Sequence, residues 1–124
     1  MSTDAAAVPG ISRSPEEVLS MELTSLGARQ GATEGEPHES LQEIANDGRV
    51  QVGVWECTPG GFPSARDGIS EVMHFVAGAG TLYDEDGTAR EIEPGAVIVV
   101  QDGWRGRWEI RETVRKLYVI WKTR

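Results

Sequence analysis

From Arg49 onward the chain is a series of short apolar alternations, each closed by turn residues. Val50, Val52 and Val54 alternate with Gln51, Gly53 and Trp55, the two-residue period of a strand with one face buried. Thr58-Pro59-Gly60-Gly61-Phe62-Pro63 then breaks the run with turn chemistry. Val72–Ala77, a Gly78-Ala79-Gly80 turn, Thr81–Tyr83, a hairpin at Asp84-Glu85-Asp86-Gly87, Arg90–Ile92, Ala96–Val100, Arg107–Arg111 and Arg115–Trp121 follow. No helical period is present after Gly48. Short strands recurring at roughly 8–12-residue spacing fold into a sandwich or a closed barrel. At 124 residues the chain is one domain, long enough for one core and too short for two.

Before Arg49 the pattern differs. Residues 1–13 are small, polar and aperiodic, and a disordered tail is expected there. Ser14-Pro15-Glu16-Glu17 is a helix start: serine caps, proline takes the first helical position and glutamate lies three residues on. It predicts a short helix through Val18, Met21, Leu23 and Leu26 that stops near Gly27. Residues 27–40 are rich in Gly, Glu and Pro and read as a loop. Leu41 and Ile44 fit a short strand or a helical turn, ended by the turn signal Asn46-Asp47-Gly48. The expected organisation is a tail at 1–13, a helix-and-loop extension at 14–48 and a barrel at 49–124.

The net charge of −8 argues against nucleic acid as a partner, because that binding rests on neutralised phosphates. Seven of the twelve basic residues fall in 104–124. They fit either a solvated strand face paired against acidic neighbours or an anion-attracting rim on a pocket. The single cysteine, Cys57, excludes an internal disulfide and fits a reducing cytoplasmic setting. No basic region followed by an apolar run opens the sequence, so no signal peptide is expected. No apolar stretch reaches the roughly 18–20 residues of a membrane helix. A soluble cytoplasmic protein without a membrane partner is expected.

The segment from Glu71 to Gly78, then Glu93-Pro94-Gly95, Ala96–Val100 and Asp102-Gly103-Trp104, together resemble the paired motifs of the cupin superfamily. In the first family motif, two histidines one residue apart precede a glutamate, and a glycine stands seven positions after it. Glu71 and Gly78 keep that spacing, while the histidine positions fall on Ser64 and Arg66, or on Ala65 and Asp67. In the second motif Gly95 and Gly103 fit, Gln101 stands at the proline and Gly106 at the histidine. Trp55–Gly60, Gly103-Trp104, Arg107-Trp108-Glu109 and Glu112–Lys116 look like the small single-domain cupins grouped with ureidoglycine aminohydrolase and the ethanolamine-utilisation Q proteins. The resemblance implies an all-β, single-domain jelly-roll barrel with a short N-terminal helix. Cupins of this size commonly form homodimers. They usually hold a metal through three histidines and a glutamate, and the aminohydrolase holds manganese through a Glu/His/His/Gln set. Here only Glu71 stands at a ligand position, which implies a pocket with no metal and no cofactor.

Strand alternation puts Glu71, Met73 and Phe75 on one face and Val72, His74 and Val76 on the other. The family pattern makes the Glu71 face the interior one. A carboxylate buried there without a partner is costly. Either it pairs with Arg66, which stands where a ligand histidine faces the pocket, or it keeps a raised pKa and serves as a general acid or base. The candidate catalytic residues are Glu71 and His74. The candidate substrate-binding residues are Arg66, Ser64, Trp55, Met73, Phe75, Trp108 and Tyr118. Gly106, with no side chain where the family has histidine, is expected to leave space near the former metal point. His38, in an acidic loop, reads as solvated, and Cys57 as a small core hydrophobe.

Three functions fit these residues. The first is a metal-independent cupin that binds a small anionic or carbonyl-bearing molecule, as an isomerase, cyclase or lyase with Glu71 as acid–base group. The second is a non-catalytic accessory protein with the same pocket. The third is a metal-dependent cupin like the aminohydrolase. Val72, His74 and Val76 on the outer face would leave an apolar patch suited to a homodimer.

Overall fold

The computed structural model describes residues 7–124. Residues 1–6 of the expected tail lie outside the described residues, and residues 7–14 are exposed without regular structure. Helix α1 (Pro15–Ser20) has the capping box that its sequence announces: Glu17 N donates to Ser14 Oγ at 3.1 Å, and Ser14 N donates to Glu17 Oε1 at 3.0 Å. It ends well before Leu26. Arg115 Nη1 donates to the carbonyls of Val18 and Met21 at 2.9 and 3.0 Å, satisfying orphan acceptors at the helix end. The chain then enters a strand, where the expected helix is overridden by pairing with a distant segment.

Nine strands follow: β1 (Thr24–Ala28), β2 (Glu34–Gly35), β3 (His38–Asn46), β4 (Val50–Cys57), β5 (Gly60–Ala65), β6 (Ile69–Asp84), β7 (Ala89–Ile92), β8 (Val97–Val100) and β9 (Arg105–Lys122). The stretch 27–40, expected as loop, therefore contains β2 and the start of β3. β1 pairs with β3, β3 with β4, and β2 with β5, all antiparallel. The strand period there is masked by charged residues, because much of this edge faces solvent.

β6 and β9 organise the molecule. β9 pairs with β4 through residues 114–121 and with β5 through residues 105–110, while β6 covers its other edge. β6 carries β8 on residues 71–74 and β7 on residues 80–83. Two layers result, β1-β3-β4-β9-β6-β8 and β2-β5-β9-β6-β7, which share the two long strands. Among the described residues the fold is an all-β jelly roll with one short helix. Between the layers lie Trp55, Phe62, Met73, Phe75, Leu82, Trp108, Val114 and Tyr118, all buried. Among the described residues no helix is long and apolar enough to cross a membrane.

The expected turn at Gly78-Ala79-Gly80 is a bulge inside one continuous strand. Register with β9 shifts three times between Phe75 and Gly80. The two segments expected at 107–111 and 115–121 are likewise one strand, β9. Turn residues in mid-strand mark a bulge when a partner strand continues on both sides.

Candidate functional site

The site lies where β4, β5, β6 and β9 face one another. Glu71 sits near the start of β6, opposite Val100 of β8 and Ile120 of β9. Its side chain is 1% exposed. Arg66, in the turn between β5 and β6, reaches it directly. Arg66 Nε donates to Glu71 Oε1 at 2.9 Å, and Nη2 donates to the same oxygen. Arg66 Nη1 donates to Ser64 Oγ and to the Ala65 carbonyl, both at 3.0 Å. The guanidinium is therefore held on both sides.

The second partner is Lys116, which the sequence reading does not single out. Lys116 Nζ lies 2.8 Å from Glu71 Oε2, and its side chain is 5% exposed. The approach gives a charge contact without hydrogen-bond alignment, so Oε2 is a buried acceptor with no hydrogen-bond partner. The ammonium also faces three rings: 4.3 Å from Trp55, 4.9 Å from Trp108 and 5.9 Å from Tyr118, measured to ring centroids. Desolvated cation–π contacts contribute about 2 kcal/mol each at best, which offsets part of the cost of burying an amine. Trp55 and Trp108 tilt against each other at 5.2 Å, and Phe62 stacks on Trp108 at 6.0 Å.

Burial alone would raise the pKa of Glu71, but the charges of Lys116 and Arg66, with the hydrogen bonds from Arg66, outweigh it and hold the carboxyl below its usual range. Of the two expectations for this residue, the structure has the ion pair and not the raised pKa. Burial pulls Lys116 below the ordinary lysine value, against the opposing pull of Glu71. Burial raises Tyr118, so its hydroxyl stays neutral and accepts from Gln51 Nε2 at 2.7 Å.

These side chains surround an inner pocket of about 140 Å³. Glu71, Arg66, Ser64, Trp55, Trp108 and Tyr118 line it together. Met73 and Phe75 do not: both are fully buried in the core behind it, and Phe75 meets Trp108 edge-on at 6.0 Å. Phe62 takes the place expected for Phe75 as an apolar wall. His74 is exposed on the outer face of β6, opposite in direction to Glu71, and the structure does not bring it to the pocket. Arg29 and Glu39 close the rim as a pair, with Nη1 donating to Oε1 at 3.1 Å. Trp55 Nε1 donates to the same Glu39 oxygen at 3.0 Å. Both rim residues lie in the stretch read as loop. Cys57 is buried, and burial pushes its thiol up to about 12, so it is an inert core group.

A family model described as the EutQ-like cupin domain matches residues 44–118, more than half of the chain. The protein is a EutQ-like cupin. Among solved structures, this cupin is similar to a protein of unknown function from Pseudomonas syringae, with 24% identity and a TM-score of 0.73. That match covers 82% of this chain but only 45% of the other protein. It is similar to Clostridium difficile EutQ, with 15% identity over 69% of each chain and a TM-score of 0.62. KdgF from Halomonas matches with 17% identity over 69% of this chain and 80% of its own, with a TM-score of 0.57. At these identities the likeness is one of fold. No curated protein matches.

The metal set usual in cupins does not fit this cupin's residues. Glu71 already holds two cations, and two of the first-motif histidine positions carry Ser64 and Arg66, which are bonded to each other. Gly106 opens no space, contrary to expectation: a Cβ there would overlap the Tyr83 carbonyl. Among the described residues no three His, Cys, Asp or Glu side chains converge as a metal site.

Proposed function

We propose that this cupin binds a small organic anion, bearing a carboxylate or carbonyl group, in the inner pocket without a metal. Charge carries the reading. Arg29 and Glu39 cancel at the rim, and Arg66 cancels Glu71 inside. Lys116 is left as an uncancelled cation in a space that excludes most water. A bound monoanion would restore neutrality there, and flat apolar walls at Trp55, Trp108 and Phe62 suit an unsaturated or planar head group.

The test is calorimetric titration with pyruvate and with its neutral amide, on the wild type and on Lys116→Met. Pyruvate is expected to bind to the wild type, with at least a tenfold loss for the amide or the variant, about the 1.4 kcal/mol of one buried charge contact. Equal binding of acid and amide would refute the proposal. Turnover is a second reading, favoured by the amine and carboxylate lying 2.8 Å apart with the amine's pKa drawn down. Lys116 would then move the proton, with Glu71 as its counter-charge. Deuterium exchange at the methyl group of bound pyruvate, lost in Lys116→Met, separates an enzyme from a binder.

The outer face supports a homodimer. Val52, Val119, Val72 and Val99 stand side by side across β4, β9, β6 and β8, with His74 beside Val97 on the next rung. Val97 and Val99 are 62% and 50% exposed. A second copy of the same face would cover this patch. Val99→Glu is expected to shift sedimentation from dimer to monomer. A wild type that is monomeric at micromolar concentration would end this reading.

A further inference from the structure

We infer, resting on the inner-pocket reading above, that Lys116 is a nucleophile that condenses with the carbonyl of a small 2-oxo acid to form an iminium in the pocket. The amine is placed for it. Lys116 and Lys122 are the only two lysines of the chain. Lys122 is exposed at the end of β9, whereas Lys116 lines the inner pocket. Its Nζ has the Glu71 carboxylate 2.8 Å away, yet no aligned hydrogen bond among the described residues ties it down. The pocket, about 140 Å³, is close to the roughly 150 Å³ that holds a benzene-sized molecule. It therefore takes about six non-hydrogen atoms, which a three-carbon 2-oxo acid supplies.

Charge favours the free amine. Arg66 and Lys116 share one carboxylate, Glu71. Glu39, the other carboxylate of the lining, is taken by Arg29 Nη1 at 3.1 Å and Trp55 Nε1 at 3.0 Å. Two cations against one carboxylate leave a surplus positive charge. The guanidinium cannot shed it. The amine can, and its burial draws its pKa down. A lysine desolvated in an apolar pocket, or set next to a second cation, is one activated toward carbonyl groups.

Each proton has a place to go. Glu71 Oε2 is a buried acceptor with no hydrogen-bond partner, and it faces the amine. The ammonium gives it one proton, and the amine adds to the carbonyl carbon, forming a C–N bond as the carbonyl opens. A second proton passes from nitrogen to the new alkoxide. Glu71 then returns the first to that hydroxyl, which leaves as water. The third hydrogen stays on the iminium nitrogen, so the step needs no co-reactant and the positive charge remains opposite the ligand carboxylate. Ser64 Oγ accepts from Arg66 Nη1 at 3.0 Å, and the Tyr118 hydroxyl accepts from Gln51 Nε2 at 2.7 Å. Each hydroxyl keeps its own proton to donate to that carboxylate.

The experiment incubates the full chain with pyruvate and sodium cyanoborohydride at neutral pH and maps the labelled peptides by mass spectrometry. Reduction fixes the iminium as an amine carrying the mass of pyruvic acid less one oxygen atom. Lys116 is expected to carry at least roughly ten times the label of Lys122, since each unit of lowered pKa multiplies the free amine about tenfold. Lys116→Arg keeps the charge and Lys116→Met keeps the volume. Both should lose the pocket label while any label on Lys122 stays. Equal labelling of the two lysines, or pyruvate bound by calorimetry with no label on Lys116, overturns the nucleophile and leaves the anion-binding reading standing. If pyruvate does not bind at all, both readings fall.

Discussion

Glu71→Gln is expected to be among the most damaging single changes in this protein, and Lys116→Met one of the mildest in the same pocket. Glutamine keeps the shape but leaves Arg66 and Lys116 buried with no counter-charge. Removing one partner of a buried ion pair costs roughly 3–5 kcal/mol, mostly from the stranded charge. Lys116→Met does the reverse. Arg66 still balances Glu71, a desolvated amine is gone, and a flexible thioether lies against Trp55 and Trp108. Its cost should stay within about 1–2 kcal/mol, as for a swap that conserves volume. Denaturant midpoints of the two variants test the order, and equal losses would mean that the surplus charge assigned to Lys116 is wrong. The acid limb gives a second readout. Glu71 is held below its usual pKa, so the folded state keeps the carboxylate ionised where the unfolded chain has begun to bind a proton. Its contribution is present above the ordinary carboxylate pKa and is lost as pH falls through the lowered folded value. Stability of the wild type should therefore fall in that window, and the fall should be shallower in Glu71→Gln.

Why Glu71 and Arg66 were legible in sequence and Lys116 was not follows from how strands display charge. Glu71 stands at a family position, and Arg66 replaces a residue that would face the same pocket. Their meeting needs only a short turn between β5 and β6. Lys116 belongs to a run of basic residues, and counting charge along a run treats both faces of a strand alike. Alternation separates them. Arg105, Arg107, Arg111 and Arg115 occupy one parity of β9, whereas Lys116 falls in phase with Val114 and Tyr118, which are buried. A lysine between two inward positions was the available signal. Arg29 and Glu39 had no comparable signal. They lie on or beside strands whose pairing is long-range and whose faces are mostly solvated, so no local period marks them. The alternation that excludes His74 from the Glu71 face was readable, and the structure has it exposed on the other side. Met73 and Phe75 share the inward face with Glu71, yet lie deeper than the pocket. Parity fixes the side of a sheet, not the depth along it.

Gly78→Ala is the second change expected to have a large effect, and it tests how β6 carries Glu71. Along β6 the inward residues are Glu71, Met73 and Phe75, then Leu82. The first three are odd and the last is even, so the strand changes phase between them. A one-residue slip in a regular strand would turn one of these sets toward solvent. The bulge around Gly78 absorbs the slip and keeps both Phe75 and Leu82 in the core. Gly78 has φ of +97°, and a Cβ there would overlap the Thr113 carbonyl and Val114 Cα of β9. Those are backbone atoms of a paired strand, so they cannot yield as a flexible side chain would. Strain from the positive φ and overpacking together make the expected loss roughly 2–6 kcal/mol. Gly87→Ala is the control: its φ is +93°, but nothing lies within 4 Å of the added atom, so only the strain remains. Measured side by side, Gly78→Ala should be the more damaging by the packing contribution. It should also weaken ligand binding in whatever fraction stays folded, because Glu71 and the strand register opposite Lys116 lie on the same length of β6. Equal destabilisation by the two substitutions would show that the bulge tolerates a side chain, and that some other contact sets the phase of the strand.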